Sequence, residues 1–467
     1  MIPIRLADLA AAVGGRVEPG AAADVLVRSV LTDSRVAPGP APIFVALPTS
    51  TADGHDHLAA AAAAGAVALL VAADRPVAVA ADLPPRVVVP DTWAALAALA
   101  AHVRTVVAPR TIGITGSFGK TTTKDLLAAA VRTAHRTVAS RASHNNELGV
   151  PLTLLALESD TRVLVAEIGI RGPGDMDAAV AIVRPAVGPV HLETLGDLDG
   201  VAREKGRLVA GLPSGGTAVL NGDDPRVRAM ARSDVTTLHV SVEGAGGPGP
   251  VDVRAEGIRD AGSGRVAAVV RTPWGTTEVA PPLPGRHHLG NALLALTAAC
   301  AVGAAPDAAA AALGTAPTSA SRSVLTEAGG VRVLDDAYNA SPPTVLAALR
   351  TLRDLDAPGR RWAVLGTMAE LGPASEDLHR EVGAACTGLD RLVAVGSGGP
   401  ALALGARAGG VAADAIDVVP DADAALAVLR SEVADGDAVL VKASRVVGLD
   451  RVASGLLAAL GGAEVAT

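Results

Sequence analysis

The chain has 467 residues, of which 50% are hydrophobic, and its formal net charge at pH 7 is -8. This length can supply the cores of about three domains. The charge is spread along the chain without a basic block, which argues against nucleic acid as a partner. No cationic start followed by an apolar run opens the sequence, and its most apolar stretch is interrupted by Gly65. We therefore expect a soluble, cytoplasmic protein without a membrane span.

Strands alternating with helices recur from about residue 109 onward, which predicts α/β units with parallel, doubly wound sheets. Short strands with turn residues between Pro250 and Pro284 predict an antiparallel edge on the first of these sheets. A second α/β series begins at Gly330, and residues 314–328, rich in Ser, Thr, Pro and Gly, are the predicted linker. We therefore expect an N-terminal domain at 1–105, a central P-loop domain at 106–318 and a C-terminal Rossmann-like α/β domain at 319–467.

The most informative stretch reads GITGSFGKTTTK and covers residues 113–124. An apolar strand precedes it and a helix follows from near Lys120, so backbone N–H groups can converge on a polyphosphate. Lys120 is then placed to reach phosphate, and Thr121 to reach Mg²⁺. Because position 114 is Ile, the strict P-loop spacing fails, and an ordinary glycine-rich turn is the alternative. The predicted ATP contacts in this loop are Thr115, Gly116, Ser117, Gly119, Lys120, Thr121 and Thr122.

Polar side chains also end or follow other strand patterns. Glu167 closes one strand, and His191 lies in a Val-His-Leu-Glu segment. A carboxylate and an imidazole are both suitable ligands for a divalent cation that faces phosphates. Taken alone, a single His is more often a structural residue, and Lys205 is by default a solvated helix residue. The segment Asn221-Gly-Asp-Asp224 either binds adenine or ribose or caps a turn.

Further motifs follow the phosphate loop along the chain. They are NNELGVPLTLL at 145–155, EIG at 167–169, HLE at 191–193, GRHHLGN at 285–291, DDAYNASP at 335–342, VLGTMAELG at 364–372 and VKASR at 441–445. Together with the phosphate loop, they resemble the Mur ligase family, and within it the branch that adds D-alanyl-D-alanine. Any one motif is modest evidence, but the set follows the family's order and spans all the predicted domains.

The resemblance implies a fold and an activity. The N-terminal domain would hold a UDP-sugar acceptor, the central domain would bind ATP with Mg²⁺, and the C-terminal domain would close over the site with the incoming amine. The carboxylate of UDP-N-acetylmuramoyl-tripeptide would attack the γ-phosphate of ATP. The resulting acyl phosphate would react with D-alanyl-D-alanine to give an amide, ADP and phosphate. Such an enzyme serves peptidoglycan precursor synthesis, and we expect it to be a monomer.

The resemblance also implies roles for individual residues. Lys120, Lys205 and His191 are the expected catalytic residues, and Lys205 matches the lysine that the family carbamylates. Mg²⁺ is expected at Thr121, Glu167, His191 and Lys205. Adenine is expected at Asn291, the phosphates at Arg322 and the ribose at Asp336. The acceptor and the amine are expected at Ser34, Arg35, Asn145, Asn146, Tyr338, Asn339, Lys442 and Ser444.

Departures from the family pattern fall mainly on the acceptor side. Ala142 and Ser143 stand where the family has Gly and Asn, and Thr49 replaces a loop Gly. Between Pro185 and His191 the chain is shorter than the family pattern by about the length of one strand, so a truncated or replaced central strand is expected.

These departures leave alternatives to the cell-wall ligase. One is a Mur-like ligase of a specialised biosynthetic pathway that uses another acceptor, because the changes lie in acceptor loops. Another is a nucleotide-binding partner subunit without turnover, which the shortened segment before His191 would explain.

Overall fold

The structure is a computed structural model that describes residues 1–19, 23–75, 83–142, 144–170, 172–191, 198–242 and 251–461. Strands in these residues form sheets of two, five, nine and six strands. Helices lie between most successive strands, so the α/β class predicted from the sequence is confirmed. No helix in the described part of the chain is both long and apolar enough to cross a membrane.

The N-terminal part is built around a small sheet that is parallel except for the antiparallel edge strand at Arg16–Val17. Its strands and helices are β1 (Ile4–Arg5), α1 (Leu6–Ala12), β2 (Arg16–Val17), β3 (Leu26–Val27), β4 (Ser29–Leu31), β5 (Pro42–Val45), α2 (Leu58–Ala63), β6 (Ala68–Ala72), β7 (Arg86–Val89) and α3 (Thr92–Val107). The five-stranded sheet has the order β2-β7-β6-β5-β4, and β1 pairs with β3. Strands β5 and β6 are buried along their whole length, as expected for apolar strands covered on both faces.

The central part contains the nine-stranded sheet. Its elements are β8 (Arg110–Gly116), α4 (Lys120–Arg132), β9 (Thr137–Ala139), α5 (Gly149–Leu155), β10 (Val163–Glu167), α6 (Asp175–Val183), β11 (Val187–His191), α7 (Leu198–Ala210), β12 (Thr217–Asn221), α8 (Pro225–Arg228), β13 (Thr236–Ser241), β14 (Val253–Asp260), β15 (Val266–Thr272), β16 (Gly275–Val279), α9 (His287–Ala301) and α10 (Pro306–Gly314). The strand order is β16-β15-β14-β13-β12-β11-β8-β10-β9. Strands β14, β15 and β16 pair antiparallel, which confirms the predicted edge.

The sequence predicts a truncated or replaced strand before His191, but the structure has a five-residue strand there. Strand β11 is present and pairs in parallel with both β8 and β12. The segment is short but apolar, and a position between two buried strands satisfies its backbone groups on both sides. The sheet of this chain therefore continues without a gap from β8 through β11 to β12.

The C-terminal part forms the six-stranded sheet. Its elements are β17 (Val324–Ala328), β18 (Val331–Asp335), α11 (Pro342–Asp354), β19 (Arg361–Gly366), α12 (Ser375–Ala384), β20 (Arg391–Val395), α13 (Gly399–Ala408), β21 (Ile416–Val419), α14 (Ala422–Glu432), β22 (Ala438–Lys442) and α15 (Asp450–Ala459). The order is β17-β18-β22-β19-β20-β21. The linker prediction for 314–328 is wrong in its last five residues, because β17 pairs antiparallel with β18 there. The connection between the sheets is therefore 315–323.

The predicted domain boundaries stay predictions. The boundary at 105/106 falls within the last turn of α3, whose buried face includes Leu96 and Leu99. These leucines belong to one apolar cluster that also contains Leu154 of α5, so α3 joins the N-terminal and central parts. Such a shared core fixes the N-terminal part against the central sheet.

Helix α11 packs against the central part through two glycines in left-handed backbone conformations. Gly264 has a φ of 69°, and a Cβ added there would lie 2.7 Å from Leu355 Cδ2. Gly285 has a φ of 105°, and a Cβ there would collide with the Thr351 hydroxyl. Gly285 N donates a hydrogen bond to Gly264 O across 2.8 Å. These glycines allow the C-terminal part to approach the central part closely.

Candidate active site

The phosphate loop connects the end of β8 to the start of α4. Gly119 precedes the helix with a φ of 74°, a left-handed conformation that glycine adopts without steric cost. Lys120 Nζ donates hydrogen bonds to Gly116 O at 2.7 Å and Ser117 O at 3.3 Å. The first N–H groups of α4 thus face the same space as the lysine ammonium. This is the arrangement that binds phosphate at a helix N-terminus.

Charged groups from two parts of the chain surround Lys120. Burial lowers the pKa of its ammonium, Glu167 raises it, and Arg322 lowers it. Arg322 lies within the connection at 315–323, and its charge acts on Lys120, so the structure brings it near the phosphate loop. A cluster of cations beside a helix N-terminus favours a polyanionic ligand.

Glu167 is a buried carboxylate with one oxygen that has partners and one that has none. Its Oε1 accepts hydrogen bonds from Thr121 Oγ1 at 3.2 Å and from Asn145 Nδ2 at 2.7 Å. Its Oε2 is buried and has no hydrogen-bond partner in the described residues. An unpartnered carboxylate oxygen in the interior is costly unless a cation or a donor reaches it.

These groups fit Mg²⁺, which prefers carboxylate and hydroxyl oxygens and keeps several waters or phosphate oxygens as ligands. The described residues contain no group of three His, Cys, Asp or Glu that could hold a metal ion by themselves. A bound nucleotide would therefore have to supply part of the coordination. Of the four expected metal ligands, Thr121 and Glu167 are in contact with each other.

Lys205 lies against the phosphate loop, and its default interpretation as a solvated residue is wrong. Its side chain is in the interior because α7 packs beside β8, and the residue is 6% exposed. Its Nζ donates to Ser117 Oγ across 2.6 Å. Burial and, secondly, the charge of Lys120 lower the pKa of Lys205 to about 7. Such an amine is partly uncharged at neutral pH.

His191 ends β11, where its backbone pairs with Gly116 of the phosphate loop. Its side chain lies outside the described part of the structure, so its role as catalytic residue and metal ligand stays a prediction. The strand register nevertheless places the residue at the edge of the sheet where the other candidates lie.

Asn291 and its neighbour His288 form a buried polar pair on α9. Asn291 Nδ2 lies 3.4 Å from His288 Nδ1. Asn291 Oδ1 and His288 Nε2 have no hydrogen-bond partner in the described residues. Burial lowers the pKa of His288 well below its usual value, so the imidazole is uncharged. The free polar atoms suit the adenine role expected for Asn291, and His288 is an addition that the GRHHLGN motif already contained.

The C-terminal candidates lie together at the ends of β18 and β22. Lys442 Nζ contacts Asp336 Oδ2 at 2.6 Å and donates to Asn339 O at 2.9 Å. The Arg322 guanidinium lies over the Tyr338 ring, 3.8 Å from its centroid. Ser444 Oγ accepts a hydrogen bond from Ala369 N at 2.8 Å, which fixes the loop after β19. The carboxyl ends of parallel strands are where such sheets bind ligands.

Two of the expected acceptor residues, Arg35 and Asn146, make local contacts. Arg35 is exposed and pairs with Asp33, with 2.8 Å between Nη2 and Oδ2, and this pairing lowers the pKa of Asp33 to about 2. Ser34 lies between Asp33 and Arg35 in the sequence, and its role in acceptor binding stays a prediction. Asn146 Oδ1 accepts a hydrogen bond from Gly149 N and thereby caps α5.

Of the two interpretations of residues 221–224, the structure supports the cap. Asp224 accepts a hydrogen bond from Arg226 N at the start of α8. Asp223 accepts hydrogen bonds from the Ser241 hydroxyl and Val242 N. Both carboxylates are thus engaged within the central part.

A phosphate loop, a buried carboxylate and an arginine delivered from a second α/β unit define an enzyme that acts on a nucleoside triphosphate. Profiles of the Mur ligase middle domain and of the "Mur ligase, glutamate ligase domain" match residues 114–299 and 321–445. The chain belongs to the Mur ligase family, which confirms the resemblance seen in its motifs. Members of this family are ATP-dependent ligases.

Similar proteins are named as UDP-N-acetylmuramoyl-tripeptide–D-alanyl-D-alanine ligases. The protein of that name from Mycobacterium tuberculosis is 39% identical, over 98% of both chains. The one from Escherichia coli is 34% identical, over 98% of this chain and 99% of its own.

Solved structures of the same kind share the fold. MurF from Acinetobacter baumannii matches with a TM-score of 0.86 at 27% identity, over 98% of this chain and 99% of that chain. The MurF ligase from Thermotoga maritima in complex with ADP matches with a TM-score of 0.79 at 25% identity, over 93% and 98% of the two chains. The three-domain α/β architecture is thus that of the family.

Proposed function

We propose that this protein joins D-alanyl-D-alanine to UDP-N-acetylmuramoyl-tripeptide, with ATP converted to ADP and phosphate. The observation that carries the proposal is the cluster around the phosphate loop, in which Lys120, Lys205 and Glu167 converge on one space and Arg322 arrives from the C-terminal part. The names of the full-length relatives support the same activity.

The protein's contribution to the first step is charge and position. Lys120 exchanges its bonds to the carbonyls of Gly116 and Ser117 for bonds to phosphate oxygens when ATP binds. Arg322 approaches from the other side, and the N–H groups of α4 complete the site. The acceptor carboxylate attacks the γ-phosphorus, ADP leaves, and an acyl phosphate forms. Fixed positive charge that faces the transferred group is the main catalytic term in such a reaction.

Mg²⁺ is expected at the Thr121 hydroxyl and the free oxygen of Glu167. When bound, the ion neutralises charge on the phosphate oxygens. Asn145 holds Glu167 Oε1 by a hydrogen bond and leaves Oε2 directed away from that contact. Asn145 therefore orients the carboxylate, which differs from the acceptor contact implied by the resemblance.

Lys205 is proposed to carry a carbamate. Its uncharged amine would attack carbon dioxide, form an N–C bond and release a proton, which turns a cation into an anion. The lowered pKa favours this reaction because only the uncharged amine is nucleophilic. The Ser117 hydroxyl, 2.6 Å from Nζ, can then donate to a carbamate oxygen.

The second step belongs to the C-terminal cluster. The amine of the dipeptide attacks the acyl carbon, phosphate leaves, and an amide bond forms. Tyr338, Asn339, Lys442 and Ser444 lie at the ends of the strands that face this space, and we assign the dipeptide to them.

Among the alternatives, the partner subunit without turnover is suggested by the short segment before His191. That segment forms strand β11, which pairs with strands on both sides, so it no longer favours this alternative. A specialised ligase with another acceptor keeps one observation in its favour. Ala142 occupies a left-handed conformation with a φ of 43°, so a Cβ projects where the family has glycine.

We take the protein to act as a monomer in the cytoplasm, where nucleotide substrates are available.

The test is phosphate release from ATP with a panel of carboxylate acceptors and amines. UDP-N-acetylmuramoyl-tripeptide with D-alanyl-D-alanine should give the highest kcat/KM. Turnover with a different acceptor alone would establish the specialised ligase, and no turnover with any pair would contradict both.

A further inference from the structure

The distribution of lysine in this chain is unusual. Of the forty Lys and Arg residues, only Lys120, Lys124, Lys205 and Lys442 are Lys. None of these is exposed, whereas the exposed cations are arginines. A guanidinium is planar and wide, so it does not replace a compact ammonium in a tight buried site. Lysine is therefore found where this protein needs an ammonium, and Lys124 has no role in the proposed function.

Lys124 joins α4 to the loop that follows β9, which we name the acceptor loop and define by its described residues, 140–142 and 144–146. The Lys124 side chain is 4% exposed. Its Nζ donates to Ala142 O across 3.1 Å and lies 2.7 Å from Asp125 Oδ1. A buried cation with these partners is costly to leave unpaired. The Lys124 ammonium therefore fixes the position of the acceptor loop relative to α4.

The acceptor loop is also tied to the carboxylate of the phosphate site. Asn145 Nδ2 donates to Glu167 Oε1, and Glu167 N donates to Ser140 Oγ across 3.0 Å. Gly169 N donates to Asn145 O across 2.8 Å. Glu167 holds the two ends of the loop, and Lys124 holds its middle.

The partner of Lys124 holds a second segment. Asp125 Oδ2 accepts a hydrogen bond from Ser319 Oγ across 2.6 Å. Ser319 belongs to the connection 315–323, three residues before Arg322. Arg322 is close enough to Lys120 to lower its pKa. The position of Asp125 therefore influences where this arginine arrives.

We propose that Lys124 and Asp125 are a positioning pair that sets both reacting sides against the phosphate loop. Lys124 positions the acceptor loop, and Asp125 positions the connection that carries Arg322. Neither residue touches the reacting atoms. The proposal deepens the proposed function and rests on it only for the identity of the acceptor.

Steady-state kinetics test the two parts of the proposal separately: the effect of Lys124 on the acceptor loop and the effect of Asp125 on the connection that carries Arg322. Lys124→Met keeps the length of the side chain and removes the ammonium, so the KM for the acceptor should rise about 10-fold or more. The KM for ATP should change by less than about 3-fold, because Lys120 and the N–H groups at the start of α4 are untouched. Ser319→Ala should instead lower kcat at an unchanged acceptor KM. Arg132→Met removes an exposed cation from the same helix and should change neither constant.

A general loss of structure is recognised in two ways. The double variant Lys124→Met/Asp125→Asn leaves no unpaired charge and should still show the raised acceptor KM. Equal increases in the KM values of acceptor, amine and ATP, or an unchanged acceptor KM, would overturn the positioning role.

Hydrogen exchange tests the positioning pair independently of the proposed function, because the measurement needs no turnover. A lack of turnover by the unmodified protein with every acceptor would refute the function alone. In Lys124→Met, amides of the acceptor loop should then exchange about 10-fold faster, with α4 unchanged. Unchanged exchange in the loop, or equal acceleration in α4, would refute the positioning pair.

Discussion

Lys205 donates a hydrogen bond to Ser117, with 2.6 Å between Nζ and Oγ. The contact ties α7 to the phosphate loop, and it exists because a lysine stem can cross the interior while its amine reaches a polar partner. Burial is the largest cause of the low pKa of Lys205, about 7, and the charge of Lys120 adds to it. The residue is thus prepared for chemistry that an exposed lysine would not undergo at neutral pH.

Replacement of Lys205 by Ala should reduce turnover about 100-fold or more, because an anion at the phosphate site is lost. Added bicarbonate should not restore this variant, whereas a short carboxylic acid should do so in part. In the unmodified protein, the uncharged fraction of Lys205 rises as the pH passes upward through its pKa of about 7. Turnover at limiting carbon dioxide should rise over the same interval. Full activity of Lys205→Ala without added acid would contradict the carbamate.

Lys120→Ala should reduce kcat about 1000-fold or more, because the lysine faces the transferred phosphoryl group. The midpoint of thermal unfolding should change little, since the ammonium bonds only to carbonyls of its own loop. Phosphate release and thermal unfolding of the same preparation provide the measurement. Near-normal turnover would remove the basis for an ATP-dependent reaction at this loop.

Ala142→Gly should strengthen acceptor binding and raise stability. A left-handed conformation costs an L-residue about 1–2 kcal/mol, and glycine adopts it freely. Part of this gain is offset by the greater freedom of glycine in the unfolded chain. Addition of Ser143→Asn should strengthen acceptor binding further, although Ser143 lies outside the described residues. Calorimetric titration with UDP-N-acetylmuramoyl-tripeptide measures the effect.

Ala108→Gly is the matched control for this prediction. Ala108 follows α3 with a φ of 49° and precedes the amino end of β8, whereas the acceptor loop contacts Glu167 at the carboxyl end of the neighbouring strand β10. It should raise stability by a similar amount and leave acceptor affinity unchanged. Equal affinity changes in both variants would mean that Ala142 acts only through stability. Tight binding of the tripeptide nucleotide by the unmodified protein would show that the Cβ of Ala142 is harmless.

The two cysteines should be unreactive in the folded protein. Burial raises the pKa of Cys300 to about 11 and that of Cys386 to about 12. Since only the thiolate reacts, a disulfide reagent such as dithionitrobenzoate at pH 8 should modify neither thiol. Both should react after unfolding in guanidinium chloride. Rapid modification of the native protein would contradict the packing of α9 or of the turn that follows α12.

The C-terminal part should rotate toward the central part when ligands bind. Arg322 lies within the connection 315–323 and Asp336 follows it, and both must reach a phosphate loop that lies about two hundred residues earlier in the chain. Closure would exclude water from the acyl phosphate. Small-angle scattering should show a smaller radius of gyration with an ATP analogue and acceptor than without them. Gly285→Ala should reduce this decrease in the radius of gyration, because the added Cβ would collide with Thr351. Identical radii of gyration with and without ligands in the unmodified protein would count against rotation.

The sequence predicted those parts of the site that lie on regular elements. The phosphate loop, Glu167 and the antiparallel edge follow from local patterns, because a strand, a glycine turn and a helix are each specified by neighbouring residues. Lys205 could not be placed in this way. Its burial depends on the contact with Ser117, a residue 88 positions away. Strand β17 is not predicted for a similar reason, since the composition of 314–328 as a whole indicates a loop and the strand depends on pairing with β18.

The acceptor side shows the same limit. The acceptor contact that the resemblance implies for Asn145 stays a prediction, whereas its hydrogen bond to Glu167 does not follow from the motif. Lys124 was read as the end of the phosphate motif, although the rarity of lysine in this chain was a usable signal. Periodicity indicates which face of α4 is buried, but it does not reveal that the carbonyl of Ala142 lies beside Lys124 on that face.

The burial of all four lysines has a consequence for proteolysis. An endoprotease that cleaves after lysine can act only when a segment around one of these residues unfolds locally, because its active site binds several residues in an extended conformation. An arginine-specific protease finds its targets on the surface. The ratio of the two digestion rates therefore separates opening of the nucleotide site from ordinary loop motion. Nucleotide that protects Lys120 and Lys124 should slow the lysine-specific enzyme alone, so that a gel and two proteases suffice to detect ligands of this protein.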